Sequence, residues 1–415
     1  MKVLQVHNYY QQPGGEDVVV EAEADLLRRN GHDVICYTDD NRRIPKLNRL
    51  SLAMRTIWSS GTYHRLSKLL TQGQFDVAHF HNTFPLISPS AYDACRKAGV
   101  PIVQTLHNYR LLCPAATFYR NGQICEECLS KRFPWPAIQH GCYRGSKTQS
   151  AVAAANVGIH KWLRTWVNKV DVFIALTEFA RSKFIEGGIP AKKLHVKPSF
   201  VHQTATENRR IGSYFLYVGR ISKEKGVPRL IRVWKNLADI PLKIAGQGPL
   251  SVALGSPNGK KRSPNIELLG MVNHQEIADL MNGAFMLLFP SECREMLPQV
   301  LLEAMACGLP VIARRQDATE QLLRDQHTAL FFCDQSQSSL ERVVRFAWNH
   351  PELVQQMSNN VMIAHQKHST NSSGHEELLR CYHSALQNQE KNRLLDSSWI
   401  HNSPEKTADI ELPVK

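Results

Sequence analysis

The stretch FPSECREMLPQVLLEAMACGLPVIA, residues 289–313, is the part of the chain whose reading decides the fold. An apolar run ends at Pro290, Pro298 stands where the first residue of a helix would, Gly308 closes that helix, and Pro310 leads into a second apolar run. The segment therefore reads as strand, loop, helix, strand. Free backbone N–H groups around Met296, Leu297 and Gln299 would sit at the positive end of the helix dipole, a setting that suits a diphosphate. Glu295 and Glu303, eight positions apart, frame this junction, and carboxylates accept hydrogen bonds from hydroxyl groups. Taken alone, the segment also fits an ordinary αβ unit whose glutamates lie on the surface.

Outward from it, the same alternation fills most of the chain. KVLQVH, HDVICYT, DVAHFHN, IVQTLHN and DVFIAL precede it, then YFLYVG, LKIAG, IELLG and FMLLFP, with helix-like segments between them. Short apolar strands separated by helices predict parallel sheets covered on both faces. A polar stretch without periodicity, residues 203–212, divides the series and places a linker near 200–212. The site of such a pair is expected in the cleft between domains.

A length of 415 residues, 43% of them hydrophobic, supplies two cores and argues against wholesale disorder. The opening MKVLQVHNYY lacks the apolar core and cleavage signal of a secretory leader and reads as a first strand. No run reaches the length of a membrane span. The expected location is cytoplasmic. Six cysteines (Cys36, Cys95, Cys293, Cys307, Cys333, Cys381) show no pairing rhythm and are expected to be reduced. A net charge of +13 points to anionic partners. Nucleic acid is the least favoured of these, because the basic stretch lacks interleaved aromatics and no known module occurs.

Two further segments carry chemistry. YVGRISKEKGVPRL, residues 217–230, puts Arg220 and Lys225 in the loop after a strand, where two fixed cations would neutralise a diphosphate. IAGQGPL, residues 244–250, puts Gly246 and Gly248 after another strand, where a missing side chain permits close backbone approach to a ligand. A lone Gly-x-Gly is weak evidence, and a loop lysine is commonly just solvated.

The three segments in this order and spacing, GR-x-S-x-EKG, AG-x-GP and E-x7-EAMACG-x-PV, resemble those of the retaining GT-B glycosyltransferases of family 4, over roughly residues 1–385. The resemblance implies two Rossmann-like, doubly wound parallel-sheet domains facing across a cleft. It implies an acceptor-binding domain at 1–205, a nucleotide-sugar domain at 206–370, a helix at 371–388 crossing back to the first domain, and a loose tail at 389–415. By the same resemblance Arg220 and Lys225 hold the donor diphosphate, and Glu303 binds the ribose. Glu295, Met296 and Leu297 approach the donor sugar and phosphates, and Met271 and Val272 meet the base. Gly14 and Gly15 match the family's glycine loop. His107, in TLHNYRLLCP, matches its active-site histidine, although a core histidine is the commoner reading of such a residue. Ser199 and His202 stand where relatives often have Asn and Asp, at the interdomain hinge.

The implied reaction transfers a sugar from a nucleotide-diphosphate donor to a glycan or lipid-linked acceptor with retention, by front-face attack as the diphosphate leaves. No Asp-x-Asp occurs, so Arg220, Lys225 and the helix start are expected to replace a catalytic metal. An epimerase on the same fold, or a non-catalytic sugar-nucleotide-binding subunit, are the alternatives. The first would need an added carboxylate cluster, and the second would be expected to have lost some of these residues.

Two features stand outside that reading. Residues 41–74 hold seven Lys or Arg and no acid, and Leu47, Leu50, Met54, Ile57 and Trp58 share a helical stripe. Residues 42–68 therefore read either as an amphipathic face for an anionic membrane or as a hairpin with a solvated basic rim. Cys113, Cys125, Cys128 and Cys142 form C-x11-C-x2-C-x13-C, a pattern that suits a structural Zn²⁺ or four reduced, unliganded thiols.

Overall fold

The structure, a computed structural model, describes residues 1–12, 14–199, 209–255, 264–333, 337–370 and 374–401. The linker from 200 to 208, with His202, lies outside them, and Ser199 is buried at their edge.

The first sheet takes β1 (Lys2–Tyr9), β2 (Asp33–Asp40), β3 (Val77–Asn82) and β4 (Ile102–Leu106). After a small antiparallel hairpin, β5 (Tyr119–Arg120) and β6 (Gln123–Ile124), it resumes with β7 (Val172–Ala175) and β8 (Leu194–Val196). Its order is β2-β1-β3-β4-β7-β8, every pairing parallel. The second sheet takes β9 (Phe215–Val218), β10 (Leu242–Ala245), β11 (Ile266–Gly270), β12 (Leu287–Phe289), β13 (Val311–Arg314) and β14 (Ala329–Phe332). Its order is β11-β10-β9-β12-β13-β14, again all parallel. Both sheets change winding direction near the middle, and the C-terminal strand ends there are where open α/β sheets bind ligands. β3 and β4 are buried at every position, as strands covered on both faces must be.

The last helix, Gly374–His401, lies against the first sheet, where Leu378, Tyr382 and Ala385 pack with Val3, Val77, Val103 and Val172. Tyr382 Oη meets His79 Nδ1 at 2.9 Å, and Gln389 Nε2 donates to the Gly99 carbonyl at 2.9 Å. This corrects the loose tail expected from residue 389: the helix continues to His401, because no Gly or Pro interrupts 388–401 and Gln389 is still buried. Residues 402–415 lie outside the described part.

The basic segment folds as helices Arg49–Ile57 and Ser60–Gly73. Leu66 and Leu70 are buried, whereas Leu50, Met54 and Trp58 are 73%, 64% and 44% exposed. Its charge is partly spent: Arg55 and Arg43 both pair with Asp39, and Arg42 pairs with Asp40.

Candidate active site

The loop between β12 and the helix Gln299–Ala306 is held from three directions. Gly226 comes first. Its φ is +74°, and a Cβ there would lie 2.0 Å from the Pro290 carbonyl oxygen, so only glycine brings the Lys225 loop this close to the end of β12. Gly226→Ala is expected to cost about 2 kcal/mol or more in a denaturant titration, through left-handed strain and the clash together. A loss within about 0.5 kcal/mol would show that the two loops separate freely.

That approach delivers Lys225 Nζ to Glu295 Oε1 at 2.5 Å, with the two side chains 30% and 14% exposed. Ser291 Oγ donates to the same oxygen at 2.6 Å. Burial opposes ionisation of Glu295, but Lys225 and the Ser291 hydrogen bond outweigh it and hold the carboxyl below its usual value. The Lys225 ammonium is held above its usual value because Glu295 overcomes the cost of burial. The N–H groups of Met296 and Leu297 have no acceptor among the described residues, at the start of the helix where the dipole favours an anion. Arg220, at the end of β9, is exposed and makes no ion pair among the described residues.

Glu303, one turn into the helix, is buried, and burial raises its carboxyl while His274 partly offsets that. His274 opens the helix His274–Asn282 directly after Met271, which is 49% exposed, and Val272, which is half-buried. Lys225, Glu295 and the helix start therefore form one group, with Glu303 further along the same helix beside the Met271–His274 turn. At Gly246 and Gly248 the missing side chain admits another stretch of protein backbone. Cβ atoms there would meet the Gly219 carbonyl oxygen at 2.0 Å and the Ile221 carbonyl oxygen at 2.3 Å, so their open faces are filled by the Arg220 loop.

The first domain supplies the opposite wall. A Cβ on Gly15 would come 3.0 Å from Gln299 Cβ, which sets the glycine loop at Gly14 and Gly15 against the start of the second domain's helix. Met296 and Leu297, whose backbone was expected to face the donor, send their side chains into the first domain's core, in one cluster with Tyr109, Leu112 and Phe118. Only their backbone is left for a ligand. The Arg294 N–H donates to the Thr117 carbonyl at 3.1 Å, Tyr119 Oη to Glu292 Oε2 at 3.1 Å, and Tyr109 Oη to the Glu295 carbonyl at 3.4 Å. A cavity of about 300 Å³ lies elsewhere, between the helix Gly15–Arg29 and the β1–β2 edge, lined by residues such as Gln5, His7 and Arg28.

His107 follows β4, with its Nε2 2.9 Å from His81 Nδ1. Burial, partly offset by Glu23, drives its pKa down to about 3, so the ring is neutral at physiological pH. A neutral ring held at Nε2 leaves Nδ1 for a ligand.

Several residues of this cleft escaped the sequence reading. Ser291 and His81 are supports visible only through long-range contact. Glu16 had a signal, since it directly follows the glycine loop. Its Oε2 accepts from Tyr10 Oη at 2.8 Å and lies 3.4 Å from Asn108 Nδ2, while Oε1 is buried without a partner. Burial pushes this carboxyl from 4.5 up to about 7. Between those values the folded chain keeps a proton that the unfolded chain releases, so stability falls as pH rises through that window. Wild type should lose more thermal stability between pH 5 and pH 8 than Glu16→Gln, and parallel losses would place the carboxyl at its ordinary value.

Comparison with known proteins fits this geometry. The family model described as Glycosyltransferase Family 4 matches residues 13–204, and the one described as Glycosyl transferases group 1 matches residues 205–362. The chain belongs to the family 4 glycosyltransferases of the GT-B fold. This glycosyltransferase is 25% identical over 344 residues to the phosphatidyl-myo-inositol mannosyltransferase of Mycobacterium leprae, covering 76% of this chain and 79% of the relative. Its fold matches sucrose-phosphate synthase from Thermosynechococcus elongatus with a TM-score of 0.63 at 15% identity, over 96% of this chain and 100% of that one. It also matches Anabaena Alr3699/HepE, solved in complex with UDP-glucose, with a TM-score of 0.59 at 16% identity, over 92% and 100% of the two chains. The two parallel sheets are the GT-B architecture expected from the motifs.

Proposed function

We propose that this glycosyltransferase moves a sugar from a nucleotide-diphosphate donor onto a hydroxyl of a glycan or lipid-linked acceptor, with retention and without a catalytic metal. One observation carries the reading: Lys225 meets Glu295 at the start of the helix Gln299–Ala306, where the Met296 and Leu297 amides are free. An ammonium and two unpaired N–H donors at one helix start would stabilise the charge that develops on a departing diphosphate. Arg220, at the neighbouring strand end, adds a second cation, and Glu303 suits the ribose hydroxyls. In the front-face route the departing phosphate takes the acceptor proton, so no enzyme nucleophile is needed. The Anabaena structure with UDP-glucose supports a nucleotide-sugar donor, and the name of the mycobacterial relative supports a lipid-linked acceptor.

The direct test incubates the protein with a panel of sugar nucleotides and acceptors and follows release of nucleoside diphosphate. Release is expected at the same rate with and without added Mg²⁺ or Mn²⁺. Epimerised sugar nucleotide without net release would defeat the transferase reading.

Acceptor delivery rests on a peripheral position at the inner face of the plasma membrane. No helix among the described residues is long and apolar enough to cross a membrane. Leu50, Met54 and Trp58 are presented to solvent with Lys46 and Arg49, which make no ion pair among the described residues. Trp162 and Leu163, 66% and 51% exposed, extend the patch, because His160 Nε2 ties their helix to the Ile57 carbonyl at 2.9 Å. Wild type is expected to sediment with phosphatidylserine vesicles in low salt and the Leu50→Glu, Met54→Glu double variant to stay in the supernatant. Equal sedimentation of the two would assign the face to ordinary solvent.

A further inference from the structure

Four cysteines spread over residues 113–142 converge on one place. Cys113, Cys125, Cys128 and Cys142 all line a single small cavity of about 20 Å³, beside Tyr119, Arg120 and Ala137. They come from three stretches of the excursion between β4 and β7, with Cys125 and Cys128 on the same one. Cys113 follows the Tyr109 turn, with its N–H on the Tyr109 carbonyl at 2.8 Å. Cys125 leaves the β5–β6 hairpin, with its N–H on the Phe118 carbonyl at 2.8 Å. Cys142 is fixed to the Ala137 carbonyl at 3.0 Å. All ten cysteines of the chain are free thiols, so no disulfide ties these turns together.

Four cysteine sulfurs lining one cavity are the donor set that a tetrahedral Zn²⁺ takes as thiolates. The described side chains already spaced to share an ion are a different set, Glu23, His79 and His81. That set is engaged: Lys197 Nζ meets Glu23 at 2.8 Å, and His79 meets Tyr382 and Thr105 at its two nitrogens. Since no three of the four sulfurs fall within 4.8 Å of one another, metal binding must draw them inward to the edge of about 3.8 Å set by 2.3 Å Zn–S bonds.

We propose that Cys113, Cys125, Cys128 and Cys142 bind one structural Zn²⁺, and that the clip holds the excursion against the donor loop. The second half rests on the donor reading above. Thr117, Tyr119 and Tyr109 contact Arg294, Glu292 and Glu295, and Glu126, between Cys125 and Cys128, reaches Arg294 at 3.4 Å. Release of the clip frees the wall that closes on residues 292–297.

The test measures zinc by mass spectrometry in the full chain purified under reducing conditions without chelator, with Cys125→Ser, Cys128→Ser as the double variant. About one equivalent is expected in wild type and under about 0.2 in the variant. Wild type below about half an equivalent, or a variant that retains the full equivalent, overturns the site. Should the variant fail to fold, wild type grown with cobalt must show the thiolate-to-cobalt charge-transfer and tetrahedral d–d bands, and their absence overturns the site as well. A folded, zinc-free variant should raise the donor KM about tenfold, and an unchanged KM refutes the coupling while leaving the zinc standing. The zinc count does not depend on turnover, so failure of the transferase assay is told apart from failure of the clip.

Discussion

Lys225→Ala is expected to lower kcat/KM for sugar transfer by about 10²- to 10³-fold, the cost of removing one preorganised donor from a developing oxyanion. Two effects of one side chain combine. The ammonium faces the place where diphosphate charge develops, and it also neutralises Glu295, which sits 14% exposed and 2.5 Å away. The loss should fall on kcat and kcat/KM together, because the charge it meets grows toward the transition state. Lys225→Arg keeps the cation but not its compact shape, so partial activity is expected. Steady-state kinetics with a labelled donor decide the matter, and a Lys225→Ala enzyme within threefold of wild type would remove this pair from the reaction.

His107→Ala should lower kcat by about 100-fold and leave donor affinity nearly unchanged, since a single positioned acid-base or polarising group contributes on that scale. His81 Nδ1 fixes the ring through Nε2 at 2.9 Å, and neutrality across the working range makes Nδ1 a hydrogen-bonding group rather than a cation. The kcat of wild type should therefore show no ionisation of this ring above pH 5. Because the ring belongs to a buried network with His81 and Glu23, thermal melts must accompany the kinetics. A variant that folds as wild type does and turns over at the wild-type rate would return His107 to the core reading.

Much of this architecture was legible because parallel strands buried on both faces leave dense apolar runs such as VAHFHN and IVQTL. β14 was not seen, since ALFF follows a polar turn and stands apart from the alternation that marks the other strands. The β5–β6 hairpin had its signal in Asn121-Gly122, whose positive φ values of 51° and 83° make the tight turn, but the surrounding prolines and cysteines drew the segment toward a featureless loop. In the site, Lys225 and Glu295 could each be assigned to the loop after a strand, but their ion pair could not, because it joins two loops about 70 positions apart in sequence. The side chains of Met296 and Leu297 could not be placed, because the core that takes them belongs to the other domain. Gly246 and Gly248 were read toward a ligand for a similar reason: the loop that fills their open faces comes from β9 and leaves no local trace.

The central claim is that the diphosphate binds at Lys225 and the free Met296 and Leu297 amides, with Arg220 in the same loop as Lys225. A crystal structure of the protein with a nucleoside diphosphate tests it most directly. The account predicts phosphate oxygens within hydrogen-bond reach of Lys225 Nζ and of both amides, with the ribose at Glu303. A diphosphate bound elsewhere, with the Lys225–Glu295 pair left closed and dry, would contradict it.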